Sequence, residues 1–225
     1  MKAAWNIALK DWQLAGRTRD VLTSTVFFAG LLMLILAFAL GPERLSGAAP
    51  GVLWSALALS AAIAAGRAFA AEQEAGALET LTLYPAAHEA LYLGKLLGTL
   101  AQLLLLALVI VPVAVVMLGL RPMEGAHAAA WPLLALTVLL GLIGFAATSC
   151  FYSAITVNLR AREALLPVLA FPVMVPVVLA SVRATQLILE NGLASEWGAW
   201  LQFLALYDLA SIVVASLLFP YALEG

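Results

Sequence analysis

Long apolar stretches separated by short polar segments run through the whole sequence. Six of them reach about 20 residues, the length that an α-helix needs to cross the hydrocarbon core of a bilayer. They cover residues 21–40, 50–71, 91–120, 131–156, 165–188 and 200–223. A lipid-exposed loop or strand edge would leave backbone groups unpaired, and the alternating polar positions of a barrel strand are absent. The pattern therefore predicts an all-α membrane protein, a single domain with six transmembrane helices.

Composition agrees with this interpretation. Of the 225 residues, 64% are hydrophobic and only 11% are charged, which leaves too little polar surface for a soluble domain of this size. No basic patch is dense enough to neutralise a run of phosphates, so nucleic acid is excluded as a partner. The single cysteine, Cys150, offers neither a disulfide pair nor a thiolate metal site.

The basic residues predict an orientation, because Lys and Arg near span ends are retained in the cytoplasm. With the N-terminus inside, eight of the 11 Lys and Arg fall on the cytoplasmic side, and Arg44, Arg121 and Arg183 fall on the other. An even number of spans then places the C-terminus in the cytoplasm as well. Arg67 and Lys95 lie in cytoplasmic span ends, from which we expect their charges to reach the interface.

Residues 1–20 precede the first span and are too charged for a signal peptide, since Asp11, Arg17 and Asp20 interrupt the apolar region that one requires. Apolar residues recur there at helical spacing, opposite polar ones. They are Ala4, Trp5, Ala8, Leu9, Trp12 and Ala15. The spacing predicts an amphipathic helix lying in the cytoplasmic interface. The alternative is a helix packed on the bundle.

The segment 72–85, between the second and third spans, concentrates acidic residues. Its carboxylates are Glu72, Glu74 and Glu79. Leu78 and Leu81 share one helical face, and Pro85 ends the helix and turns the chain toward the third span. We interpret the segment as a short amphipathic helix on the cytoplasmic face. The alternative is an ordinary solvated connection, although such connections need only a few residues.

This segment resembles the coupling segment of the type-2 ABC exporter permeases. The matching order is Arg67, Glu72-x-Glu74-x-Gly76-Ala77-Leu78-Glu79-x-Leu81, Pro85 and Gly94-Lys95. Further blocks are Gly41-Pro42-Glu43, Ala49-Pro50-Gly51-Val52-Leu53-Trp54, Leu165-Leu166-Pro167 with Pro172 and Pro176, and Leu218-Phe219 ending in Glu224. Together they are similar to the haem exporter protein B family, CcmB, over nearly the whole chain.

The resemblance implies a permease subunit of an ABC transporter complex for cytochrome c maturation in the bacterial inner membrane. ATP would be hydrolysed by a separate CcmA-like subunit, with CcmC-like and CcmD-like membrane subunits and a CcmE-like haem chaperone as further partners. The complex would export haem or use ATP to release the haem-loaded chaperone. This chain would not be an enzyme by itself, and it indeed contains no G-x-x-x-x-G-K-[ST] motif.

The resemblance also implies which residues contact the ATPase. They are Glu72, Glu74, Gly76, Leu78, Glu79, Leu81 and Pro85. Six-span permeases of this class need two bundles, so the chain would form a homodimer or pair with a different membrane subunit. The alternatives are a permease exporting a drug, lipid or polysaccharide, and a membrane anchor for an ATPase that transports nothing.

Ionisable residues inside a span need a physical reason, since each costs about 2.5 to 3.5 kcal/mol at the helix centre. The candidates are Asp208, Arg183 and Arg67. Asp208 could pair with Arg183, line a wet cavity or bind a partner subunit. The alternative is that the sixth span begins later and Asp208 lies near the outer interface.

The sequence predicts no cofactor bound directly by this chain. His127 is the candidate for a haem ligand, but surface histidines without a metal role are commoner. The pair His88-Glu89 lacks the second histidine of a zinc-protease motif, since Tyr92 stands in its place. Nothing therefore supports a catalytic or metal site.

Small residues and prolines indicate how the spans pack. Gly141 and Gly144 in the fourth span, and the alanines at 61–65 in the second, should allow close helix approach. Pro167, Pro172 and Pro176 should bend the fifth span.

Overall fold

The computed structural model describes residues 19–66, 88–122, 127–156, 162–191 and 196–223. Regular structure in these ranges is helical. The helices are α1 (Arg19–Ala65), α2 (His88–Met117), α3 (His127–Thr156), α4 (Arg162–Asn191) and α5 (Trp197–Leu223). All five are long and apolar enough to cross a membrane. The all-α membrane fold is confirmed, and α2 to α5 match the last four predicted spans to within about four residues at each end.

The first helix differs from the prediction, because the first predicted span and residues 50–65 of the second both lie within α1. The segment between them, expected to be a connection, is helical from Pro42 onward. At 1.5 Å per residue the 47 residues of α1 would extend about 70 Å, roughly twice the hydrocarbon thickness of a bilayer. The described residues thus contain five long helices rather than six separate ones.

Gly41 breaks α1. Its φ of 70° and ψ of 168° belong to a region that is essentially open to glycine alone. Pro42 adds to the break, since it disfavours helical geometry at the residue before it and has no N–H to donate. Proline is well tolerated at the first position of a helix, so helical structure resumes at once. The Gly-Pro pair therefore replaces a loop.

The second part of α1 is described as far as Ala65, within the predicted second span. Helical structure stops at Ala65, and Gly66 forms a turn whose N–H donates to the Ala62 carbonyl at 3.1 Å. Residues 67–71, the remainder of the predicted second span, lie outside the described residues, as do residues 1–18 of the predicted interfacial helix.

Helix α3 occupies the centre of the bundle and packs against α1, α2, α4 and α5. In its most apolar 18-residue stretch 56% of the residues are buried, against 17% to 33% for the other four helices. The side chains that α3 contributes to the interior are mostly small, which lets four neighbours approach one helix. Its buried small residues include Gly141, Gly144, Ala146, Ala147, Ser149, Cys150 and Ala154.

Large apolar side chains cover much of the outer surface. Phe27 and Phe38 on α1 are 71% and 81% exposed, and Val116 on α2 is 85% exposed. A soluble monomer rarely exposes contiguous apolar surface of this kind. This surface is suited to contact with lipid chains, in agreement with the predicted membrane environment.

Candidate functional site

Asp208 is a buried ionisable residue where α5 packs against α3, close to Val177 of α4. Asp208 is only 4% exposed. It lies eleven residues after Trp197, which starts α5, or about 16 Å along the helix axis. Asp208 is therefore buried among the helices, toward the middle of α5.

The approach of Asp208 to α3 depends on Gly144. A methyl group at Gly144 would lie 2.7 Å from Asp208 Oδ1 and 3.0 Å from a Cγ atom of Val177 on α4. Both distances are shorter than contacts that a side chain can make without displacing its neighbours. The bare backbone of Gly144 thus makes the space that the carboxylate occupies, and the predicted close helix approach at this glycine is confirmed.

The carboxylate of Asp208 has no hydrogen-bond partner among the described residues, at either oxygen. Arg183, its predicted partner, is exposed, and its Nη1 donates to Gln186 Oε1 one turn away on the same helix, at 3.4 Å. The predicted pairing of Asp208 with Arg183 is therefore wrong. The reason is geometric, because Arg183 lies on the outer face of α4 whereas Asp208 faces the interior.

Two buried hydroxyl groups near this region are unpartnered among the described residues. Thr148 follows Gly144 by four residues on α3, whereas Ser181 of α4 lies beside Gly141, so the two hydroxyls are on opposite sides of Asp208 along the bundle. Ser181 Oγ lies 2.8 Å from the position of a methyl group on Gly141. Neither hydroxyl has a hydrogen-bond partner within the structure's described part.

The sequence analysis missed these hydroxyls, and the sequence carries no clear signal for them. Serine and threonine in membrane helices commonly donate to the carbonyl of the preceding turn. Thr137 and Thr156 do so, donating to Leu133 and Tyr152 at 2.8 and 2.9 Å. Thr148 and Ser181 differ from such residues only in how the helices pack around them, which the sequence does not show.

Helix α4 contains backbone carbonyls that lack their usual helical donor. Pro172 and Pro176 have no N–H, so the carbonyls of Val168 and Pro172 lose their usual donor four residues later. The Tyr207 hydroxyl, adjacent in sequence to Asp208, donates to the Val173 carbonyl. Tyr207 thereby holds α5 against the proline-containing part of α4.

Trp54 connects the second part of α1 to α3 and α4. Its indole Nε1 donates to Thr185 Oγ1 on α4 at 2.9 Å, and its ring packs edge-on against Phe145 with centroids 6.0 Å apart. A methyl group at Gly141 would lie 2.5 Å from Trp54 Cη2, so this glycine also provides space for a neighbour. The close approach predicted for Gly141 is confirmed.

A second set of contacts connects α2 to the centre of the bundle. The Tyr92 hydroxyl donates to the Ala147 carbonyl of α3 at 3.2 Å, and the Tyr92 ring lies 5.4 Å from that of Phe219 on α5. Lys95, one turn further along α2, is only 2% exposed. The prediction that Lys95 extends to the interface is wrong, since the packing of α2 on its neighbours encloses this side chain.

The other predicted site residues lie where the structure gives no side-chain geometry. Arg67 and the whole coupling segment, 72–85, are outside the described residues. His127 is the first residue of α3, and its side chain is likewise not described. Their roles in ATPase coupling and haem ligation stay predictions.

Comparison with known proteins identifies the family. Residues 2–225 match the family model described as CcmB protein. Heme exporter protein B of Paracoccus denitrificans is 29% identical over 211 residues, 93% of each chain. The Haemophilus influenzae protein of that name is 29% identical over 224 residues, 97% of this chain and 94% of the relative. That of Pseudomonas aeruginosa is 31% identical over 187 residues, 82% and 81% respectively. Because the match extends over almost every residue, the chain belongs to the CcmB protein family.

Proposed function

We propose that this chain is the membrane permease subunit of an ABC-type haem exporter that serves cytochrome c maturation. The observation that carries the proposal is the family match over residues 2–225, with relatives named heme exporter protein B aligned along most of their own length. The apolar helical bundle is the structure that a permease subunit requires. The chain is a transporter component in this proposal, and ATP binds to another subunit.

We propose further that the chain crosses the bacterial inner membrane six times, with both termini in the cytoplasm. The break at Gly41 divides α1 into residues 19–40 and 42–65, each long enough for one span. Glu43 and Arg44, just after the break, are exposed and charged, as expected at a membrane surface. Met33 before the break and Trp54 after it belong to one core cluster, so both parts pack in the same bundle.

The segment 72–85 is proposed to dock on a CcmA-like ATPase. Its acidic residues and amphipathic pattern suit a helix on the cytoplasmic face. Ala65 before the segment and Tyr92 after it are fully buried, and Tyr92 contacts both α3 and α5. A displacement of the segment by the ATPase would therefore be transmitted to the central helix through packed side chains.

The remaining partners follow from the resemblance to the family. They are CcmC-like and CcmD-like membrane subunits, a CcmE-like haem chaperone, and a second bundle contributed by a homodimer or a heteromeric pair. Haem handled by such a complex would meet this chain most directly through its partners, with His127 the candidate ligand on this chain.

Charge reversal in the coupling segment tests the proposal. We expect the double variant Glu74→Lys, Glu79→Lys to assemble with the ATPase subunit at reduced yield and to abolish most cytochrome c maturation, measured as haem-stained holocytochrome c. The matched control is Glu190→Lys, an exposed carboxylate near the end of α4, which should mature cytochrome c normally. Normal maturation by the double variant would contradict the coupling role.

The haem function itself is tested by deletion of the chain in its host. We expect loss of holocytochrome c, restored by the wild-type chain, while apocytochrome continues to be made. A deletion strain with normal holocytochrome c that fails instead to export a drug, lipid or polysaccharide would overturn the proposed substrate. A strain with neither defect would favour a membrane anchor for an ATPase.

A further inference from the structure

Arg183 is a charged residue on the outward-facing surface of α4. It is exposed, and it lies eight residues before Asn191, the last residue of this 30-residue helix. At 1.5 Å per residue α4 is about 45 Å long, against about 30 Å for the hydrocarbon core of a bilayer. When the helix is centred, the backbone of Arg183 lies just inside the hydrocarbon boundary, where a charge without a counter-ion is costly.

The guanidinium of Arg183 is directed toward the Asn191 end of α4. Its Nη1 donates to Gln186 Oε1 at 3.4 Å, one turn nearer that end, and Gln186 Nε2 donates to the Gly47 carbonyl of α1 at 3.4 Å. The charge is thereby carried toward the headgroup layer. An arginine side chain has five N–H donors, and in the described part of the chain one of them is used and no carboxylate pairs with Arg183. Donors and charge therefore remain for a ligand.

Tryptophans lie at the same end of the bundle as Arg183. Trp197 and Trp200 are in the first turn of α5, which follows α4 closely in the chain. Trp131 is near the start of α3, whose other end is joined to α4 by a short connection, and it is 42% exposed. Tryptophan is enriched where a membrane protein meets the headgroups. This belt supports the placement of the Arg183 guanidinium at a membrane surface.

The same face of α4 carries an apolar stripe on the hydrocarbon side of Arg183. Its members are Leu179, Val175 and Pro172, all of them exposed, with Leu179 at 62% and Val175 at 46%. They precede Arg183 by four, eight and eleven residues, so they share its helix face. Val175 is about 12 Å from Arg183 along the helix, within the depth of about 15 Å that the acyl chains of one leaflet fill.

An unpaired guanidinium above an apolar stripe complements an anionic phospholipid. The phosphate accepts paired N–H bonds from the planar guanidinium, and an acyl chain covers the stripe. A lipid with one net negative charge neutralises Arg183, whereas a zwitterionic lipid brings its own cation. A second copy suits this face poorly, since a two-fold axis normal to the membrane would bring two Arg183 side chains together at one depth. We propose that Arg183 and the α4 stripe bind an anionic phospholipid, of the phosphatidylglycerol class.

This inference goes beyond the proposed haem export, and its test needs neither an ATPase nor haem. The full chain is purified in detergent and titrated with phosphatidylglycerol or with phosphatidylcholine of the same acyl chains, and bound lipid is counted by native mass spectrometry. We expect the first phosphatidylglycerol to bind wild type at least fivefold more tightly than the first phosphatidylcholine. In Arg183→Gln this preference should fall below twofold.

Further variants separate the contributions of charge, geometry and apolar contact. Arg121→Gln, the same change at an exposed arginine outside the helices, should keep the preference of the wild type. Arg183→Lys keeps the charge but loses the paired donors, and should weaken phosphatidylglycerol binding two- to fivefold. Leu179→Gln should weaken binding of both lipids. Inorganic phosphate in large excess should not displace phosphatidylglycerol, because it has no acyl chain to place on the stripe.

Several results would overturn the site. Equal affinity of wild type for the two lipids is one, and an unchanged preference in Arg183→Gln is another. Displacement by inorganic phosphate would show an anion site without a lipid. Disulfide formation between copies of Leu179→Cys in native membranes, in a Cys150→Ala background, would show that a second copy covers the stripe. Normal phosphatidylglycerol binding by a chain that does not support haem export would leave this site intact and overturn only the proposed function.

Discussion

Gly144 and Gly141 allow close helix packing because they have no side chain. They are three residues apart on α3 and so share a face. The first faces Asp208 and Val177, and the second faces Trp54 and Ser181. In lipid the hydrophobic effect does not drive helices together, because lipid chains are as apolar as the side chains. Van der Waals contact from close backbone approach therefore supplies much of the association energy. Each glycine is thus a point at which α3 accepts a larger side chain from a neighbour.

Addition of one methyl group at Gly144 should destabilise the bundle. We expect Gly144→Ala to lower the free energy of unfolding by about 1 to 3 kcal/mol, the usual cost of overpacking, because Asp208 and Val177 must move. The measurement is unfolding in mixed micelles with rising sodium dodecyl sulfate. Gly30→Ala on α1 is the control, since no atom lies within 4 Å of its added methyl group and alanine favours helix. A Gly144→Ala variant as stable as Gly30→Ala would contradict the packing described.

The hydrogen bond from Trp54 to Thr185 can be measured as a coupling energy. We expect a cycle of Trp54→Phe and Thr185→Val to give about 0.6 kcal/mol, and at most about 1.7 kcal/mol, the range known for such bonds in membrane bundles. The control cycle replaces Thr185→Val with Thr137→Val, because Thr137 donates to its own helix at Leu133. That cycle should give no coupling. Equal values in both cycles would show that the 2.9 Å bond contributes nothing specific.

Sequence alone indicates Asp208 but not its surroundings. An acidic residue in an apolar stretch is conspicuous because of its insertion cost. Its neighbours belong to other helices. The local sequence pattern does not determine how each helix is rotated about its own axis, and so it does not predict which side chains face Asp208. The pairing with Arg183 failed for that reason, since both residues were placed at similar depth but face different directions.

At the scale of elements, length and hydropathy predict α2 to α5 well. Each helix needs about 20 apolar residues to cross the bilayer, and the polar residues at its ends stay helical for another turn. The predicted connection between the first two spans was wrong for a physical reason. Residues 42–49 contain proline and glycine, but proline at the first helical position removes no hydrogen bond, so helical structure continues.

Gly41 should be the least replaceable residue of α1. Because its φ of 70° is strained for any residue with a Cβ, we expect Gly41→Ala to cost about 1 to 3 kcal/mol of unfolding free energy. Spin labels at the exposed positions Phe27 and Ile63 should report a longer or broader distance distribution as the break changes. Gly47→Ala, at an open position without positive φ, should alter neither. Equal behaviour of the two variants would contradict a conformational role for Gly41.

For the whole molecule, α3 is the helix on which the other four described helices pack. Tyr92 of α2, Trp54 of α1 and Asp208 of α5 each approach it. A displacement of one of these helices would therefore be transmitted to α3 through packed side chains. The sequence could not reveal this hub, since α3 differs from the other spans only by its small buried residues.

The number of membrane crossings determines where the two ends of the chain lie. Six crossings place both termini on one side, whereas five place them on opposite sides. Labelling of single cysteines by an impermeant maleimide distinguishes these, in a Cys150→Ala background that removes the one native thiol, itself buried. In intact spheroplasts we expect Arg44→Cys and Arg121→Cys to be labelled, since both positions are exposed and follow an outward crossing.

Lys2→Cys and Glu224→Cys should react in the same experiment only after the membrane is permeabilised. If α1 crossed once, the chain would cross five times, so Lys2 and Glu224 would lie on opposite sides of the membrane and could not both be protected in intact spheroplasts. Arg44 is the most informative position, because it follows the break at Gly41 by three residues. Protection of Arg44→Cys both in spheroplasts and after permeabilisation would mean that Gly41 bends one crossing instead of joining two.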